Sequence, residues 1–208
     1  MGAVDELLDK REGLVRKWGT YAVFLADYEA SAPDKLFKTD GTPILPGPEY
    51  KQLGFTTDAG VVFTKAISVD KVNMDQSLTP VRQDLSGIEQ TAIINFGESS
   101  SGFVNAVAHG KRVADFPADP DEAWEFHDGE LTDMPHYRLW VIAQDGVGPA
   151  TRYRAEFAHK AKVTAIADRN LGRKSNEVNG FTFGLMRDKE SGYTLSRGES
   201  GLKAPSGG

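Results

Sequence analysis

The sequence predicts a mainly β protein with one flanking helix, and three observations carry that reading. Runs of β-branched and aromatic residues recur along the chain, separated by Gly, Pro and Asp-Gly turn signals. Only residues 99–109 combine helical apolar spacing with signals at both ends. A hydrophobic content of 39% and a charged content of 26% fit a chain of 208 residues that buries a core. The count is about eight strands, arranged as a sandwich or barrel with the helix on one face.

Taken in order, residues 1–17 place Val4, Leu7, Leu8, Leu14 and Val15 near helical spacing, which predicts a short surface helix or an arm that docks on a neighbour. YAVFL (21–25) reads as a strand. Residues 27–50 hold four prolines and an Asp40-Gly41 turn, so they form a long loop, either functional or mobile. That loop keeps apolar anchors at Leu36, Phe37, Ile44 and Leu45.

Residues 53–98 organise the rest. A short strand at 53–55 and a turn at 58–60 lead into a strand over 61–74. Its apolar face (Val61, Phe63, Ile67 and Val69, interrupted by Lys65) is expected to pack on the core, with a small or polar face opposite. Residues 76–84 carry Pro80, which cannot donate to a ladder and marks an edge, bulge or tip. Residues 88–96 return as the second strand of a long hairpin.

In the helix at 99–109, Ser99, Ser100 or Ser101 offers an N-cap and Gly110 follows the C-terminus. Phe103, Val104, Val107 and Ala108 make its apolar stripe. A small hairpin is expected at 124–130 around Asp128-Gly129. Strands follow at 138–143, 153–166 and 181–186. The segment from 191 onward, and above all from Ser196, reads as a polar tail.

No residue pattern points to catalysis. The four histidines have no tight ligand spacing, and GESSSG (97–102) is not a nucleophile elbow. There is no phosphate-binding glycine loop and no cysteine. An enzyme is therefore not expected, nor a metal site, a cofactor or a membrane partner. The first residues are polar and charged, without an apolar leader block, so the chain is expected to be made and kept in a cytoplasm.

Net charge is −6, and the stretch 111–136 accounts for all of it; the remaining chain holds 22 basic and 22 acidic residues. A protein that grips nucleic acid needs a basic footprint to displace phosphate counterions, and this chain has none.

The chain resembles the major tail protein, or tail tube protein, of siphoviruses infecting actinobacteria. The resemblance lies in YKQLGFTTDAGVVFTKA, then DKVNMDQSLTPVRQDLSGIEQTAIINFGE, then YRLWVIAQDG, and AKVTAIADRNL followed by FTFGLM. It spans about residues 18–190; the N-terminal segment and 111–136 depart from the pattern. The resemblance implies a tail-tube-type β-sandwich with a flanking helix, a long hairpin and extended arms. It further implies a virion protein, assembled in the host cytoplasm, that forms hexameric rings stacked into a tail tube. Implied partners are other copies of itself, the tape measure protein, the tail terminator and distal tail proteins, and double-stranded DNA passing without specific binding.

On that reading Asp70, Asp75, Asp84 and Glu89 are candidates to face the lumen, where an acidic wall lets DNA slide; a ring of six carries about −36. Leu36, Phe37, Ile44, Leu45, Pro80, Val81 and Arg82 are candidates for contacts between subunits or rings. The alternatives are a type VI secretion-like inner tube protein and a non-catalytic β-sandwich binding module. Scattered tryptophans (Trp18, Trp124, Trp140) weigh against a carbohydrate-binding face.

Overall fold

The computed structural model describes residues 15–76, 79–129, 133–148 and 151–200. The expected arm up to residue 14 and the tail beyond 200 lie outside the described residues, as do Ser77 and Leu78 near the hairpin tip. The strands are β1 (Thr20–Asp27), β2 (Lys51–Gln52), β3 (Thr56–Val72), β4 (Arg82–Phe96), β5 (His136–Asp145), β6 (Arg152–Ile166), β7 (Asn179–Leu185) and β8 (Leu195–Glu199). Among the described residues one helix, α1 (Gly102–Ala108), and a 3-10 turn at Val113–Asp115 complete the named elements.

All pairings are antiparallel, in the order β2-β1-β5-β6-β7-β4-β3. β5 occupies one edge of β6; β8 and then β7 lie end to end along the other. The sheet folds over on itself. Val23, Leu25, Leu139 and Val141, from one end of the order, share a buried cluster with Ala92, Ile94 and Phe96 from the other. Val61 and Phe63 of β3 pack against the same cluster, as do Phe103, Val104 and Val107 of α1. The expected apolar stripe of the helix packs into this cluster, and Asn105 and Ala106, off the stripe, are buried as well. Gly110, at φ +63, follows the helix and donates to the Val107 carbonyl (3.1 Å), the left-handed stop the sequence signalled.

A second core lies on the opposite face of β1, β5 and β6. Tyr50, Trp140, Phe157 and Ala26 are buried there beneath Leu36 and Ile44 of the 27–50 loop. The Tyr50 hydroxyl donates to the Ser31 carbonyl (2.8 Å), and the Arg138 guanidinium donates to the carbonyls of Ala30 (2.6 Å) and His159 (3.0 Å). The loop is therefore fastened to its own subunit by apolar burial and by hydrogen bonds that satisfy buried polar groups.

The structure differs from the sequence reading in four places. Residues 58–60 are not a turn; they continue β3 across an irregularity between Thr56 and Val61, with Gly60 at φ +70. The short strand falls at Lys51–Gln52 rather than 53–55, because Gly54 turns the chain at φ +85. Residues 123–129 form no strand; Trp124 stacks on Phe126 (5.4 Å, 21°) and Phe126 on His109 (5.3 Å) instead. The expected polar tail contains β8, which β6 holds in place: Arg197 bonds Glu156 (2.7 Å), and Ser196 bonds the ring of His159 (2.7 Å).

Candidate self-assembly surface

β3 and β4 make a hairpin of 17 and 15 residues. β7 pairs β4 only over Gln90–Phe96, so from Glu89 outward no strand among the described residues lies beside that edge. β3 ends the strand order, so among the described residues its outer edge has no strand partner either. The distal half of the hairpin therefore projects with both edges open. A row of unpaired backbone donors and acceptors is a template for another strand.

Pairing register fixes which side chains share a face, because directly opposed residues point the same way. Ile67 pairs Ile88 and Val69 pairs Leu85, continuing the face that Val61 and Phe63 begin in the core. These four apolar side chains are 42–62% exposed. The expectation that this face packs on the subunit core along its whole length is thus corrected. Only Val61 and Phe63 reach the core, because the body stops where β4 leaves β7.

The other face carries Asp70 opposite Asp84, with Glu89 opposite Ala66. Three of the four lumen candidates are therefore brought onto one face, opposite the aliphatic one. Asp75 sits beyond the end of β3, at the tip. Asp70 and Asp84 are direct cross-strand partners of like charge, an arrangement that disfavours the isolated hairpin. Arg82, on the same face, offsets this by pairing with Asp84 at 2.8 Å. Pro80 and Val81 lie between the strands; Val81 donates to the Val72 carbonyl (2.9 Å) and closes the tip.

The remaining contact candidates are not part of this surface. Leu36 and Ile44 are half-buried against Trp140 and Phe157, and Phe37 packs beside Gly198 of β8. Leu45 alone among them is strongly exposed.

At the root of the hairpin the chain is clamped. The Glu98 carboxylate accepts from the Phe55 N–H (3.0 Å), and the Gly97 N–H donates to the Phe55 carbonyl (2.9 Å). Glu98 occupies the space where a side chain on Gly54 would stand. Among the described residues no group of three or more His, Asp or Glu side chains could hold a metal ion, and no helix is long and apolar enough to cross a membrane.

No protein-family model and no curated protein sequence matches the chain. Among solved structures the chain is similar to one in the cryo-EM structure of the anti-feeding prophage baseplate, 6-fold symmetrised. The identity is 8%, the match covers 88% of this chain and 93% of that one, and the TM-score is 0.42. At that level of similarity the comparison assigns neither a role nor a partner to this chain.

Proposed function

We propose that the chain is a structural subunit of a phage tail that joins with copies of itself into hexameric rings, which stack into a tube for DNA delivery. One observation supports this most directly: a projecting hairpin with two open edges, one face carrying the four aliphatic residues Ile67, Val69, Leu85 and Ile88 between Lys65 and Lys71, and the other carrying three carboxylates. When copies are related by rotation, the open β3 edge of one meets the open β4 edge of the next. Those strands run antiparallel, so each contact continues the alternation already present inside the hairpin. Head-to-tail contacts of this kind close into rings, and a closed barrel leaves no edge exposed.

The two faces then have separate roles. Ile67, Val69, Leu85 and Ile88 turn outward against neighbouring subunits. Asp70, Asp84 and Glu89 turn toward the passage, with Asp75 at its rim. Carboxylates repel the DNA backbone and leave its counterions in place, so the polymer slides without sticking. The tape measure protein, tail terminator and distal tail proteins are the partners such a tube requires.

Negative-stain microscopy of the purified chain over rising concentration tests this. Rings or tubes with a central channel are expected. A particle that stays monomeric to millimolar concentration overturns the proposal, as does a reconstructed tube with these carboxylates on its outer surface.

A further inference from the structure

Among the described residues nothing covers the aliphatic face of the projecting hairpin. Ile67, Val69, Leu85 and Ile88 stand there between Lys65 and Lys71, with no carboxylate on the face. In a tube this face looks away from the passage and meets a neighbour, so its cover comes from another copy.

We infer that residues 4–8 of each copy dock on the aliphatic hairpin face of the next copy around the ring. The inference rests on the tube reading above and names the segment that covers this face. Three observations carry it. The first is apolar pattern. Val4, Leu7 and Leu8 have the i, i+3, i+4 spacing of a single stripe, matching a patch of four aliphatic side chains. The second is charge. Residues 1–9 hold Asp5, Glu6 and Asp9 and no basic side chain; Lys10, Arg11 and Glu12 follow. The charged residues of the aliphatic face are Lys65 and Lys71, so a segment flanked by acids suits it. The opposite face, with Asp70, Asp84 and Glu89 against Arg82, repels that segment.

The third is the point at which the chain leaves the body. Trp18 lines a cavity of about 320 Å³ with Asp58, Gly60, Val61 and Phe63, and the Tyr21 hydroxyl donates to the Thr57 carbonyl (2.7 Å). The chain ahead of β1 therefore starts beside the first residues of β3. Arg16 lies 3.6 Å from Asp145 and 4.0 Å from Glu199, and Val15 before it is 81% exposed. Eight residues lead back from Val15 to Leu7, a reach of at most about 26–29 Å. Ile67 lies about 13 Å along β3 from Phe63, and the same position on the next hairpin is two strand widths, about 10 Å, to the side. The reach covers both hairpins, and the edge decides between them: β3 ends the strand order, and in the ring it is the strand that meets the next copy.

The chain has no cysteine, so introduced ones are the only source of disulfides. The test uses Leu7→Cys and Ile67→Cys as separate variants, mixed, assembled and mildly oxidised. A covalent heterodimer is expected from the mixture, and neither variant alone is expected to dimerise. Leu7→Asp/Leu8→Asp is expected to raise the critical concentration for assembly at least tenfold while the monomer melts unchanged. Rings that yield no heterodimer, dimers equally abundant in a single variant, or assembly of the double aspartate variant at the original concentration overturn this contact alone. An internal disulfide in Leu7→Cys/Ile67→Cys, with no heterodimer from the mixture, puts the segment on its own hairpin and overturns the contact likewise. An unmodified chain that forms no rings at all overturns the tube reading and this contact with it.

Discussion

Replacing Ile67 and Leu85 by threonine separates assembly from folding. Both side chains sit on the projecting part of the hairpin, 60% and 62% exposed. Fully covering an aliphatic side chain of this size is worth about 1.5–3 kcal/mol, so the exposed fraction leaves about 1 kcal/mol or somewhat more for each. Two per copy amount to about 2–3 kcal/mol at each interface, which is roughly a 30–150-fold shift in the pairing constant. Threonine is β-branched and favoured in strands, so the hairpin itself is expected to survive at both positions. Exposed substitutions of this kind change folding stability by about 0.5 kcal/mol at most. The assay is the critical concentration for assembly by sedimentation, with a thermal melt of the monomer alongside. Val62→Thr, on the opposite face, is the control and is expected to change neither. The reasoning fails if the double variant assembles at the original concentration, or if its monomer melts as though a core residue had been lost.

Gly54→Ala forces a side chain into a left-handed backbone and onto the Glu98 carboxylate, which loses the Phe55 N–H. A cost of about 2–3 kcal/mol is expected, read as a melting point lower by about 5–10 °C. Burial first, then Arg138, holds the His159 pKa below the ordinary histidine value, and burial with Lys160 does the same for His136. The folded state thus binds a proton less readily than the unfolded chain, so stability is complete above about pH 6.5 and falls as pH drops below it. Melts between pH 8 and 5 check this; His159→Gln is expected to flatten the slope, and stability that holds or rises toward pH 5 contradicts the assignment. Asp70→Lys/Glu89→Lys is expected to leave tubes that retain double-stranded DNA at low salt and release it as salt rises, whereas the native tube retains none. Retention measured by filter binding that is equal in both places those residues away from the passage.

The strands that form the main core were legible because one face of each alternates or runs apolar. The helix was legible because its stripe and its glycine stop agree. What escaped depended on partners elsewhere in the chain. β8 reads Leu-Ser-Arg-Gly-Glu, with one aliphatic residue, and is a strand only because β6 offers it an edge, a hydrogen bond to His159 and an ion pair to Glu156. The docking of the 27–50 loop had a signal that was available. RLWVIA on β5 is apolar on both faces, and a strand apolar on both faces needs cover on both. The failed hairpin at 124–130 is the converse, a turn signal with apolar alternation (Trp124, Phe126) on one side only.

The hairpin shows most clearly where pattern reading stops. Asp84 and Glu89 are five residues apart, and Leu85 and Ile88 are three apart, so strict alternation puts the members of each pair on opposite faces. They share faces because the register slips by one residue: Ser68 pairs Gly87, but Val69 pairs Leu85, and Ser86 is left out as a bulge. The separation of an apolar face from an acidic one therefore depends on a single extra residue. Deleting Ser86 restores plain alternation with Leu85 still beside Val69 and Asp84 still beside Asp70, so assembly is expected to persist. Doubling Ser86 adds one more place to the alternation, sending Asp84 to the apolar face and Leu85 to the acidic one. Assembly is then expected to fail while the monomer melts unchanged, since neither position touches the core. If the deletion and the duplication assemble equally well, the division of the hairpin into two faces has no part in how copies join.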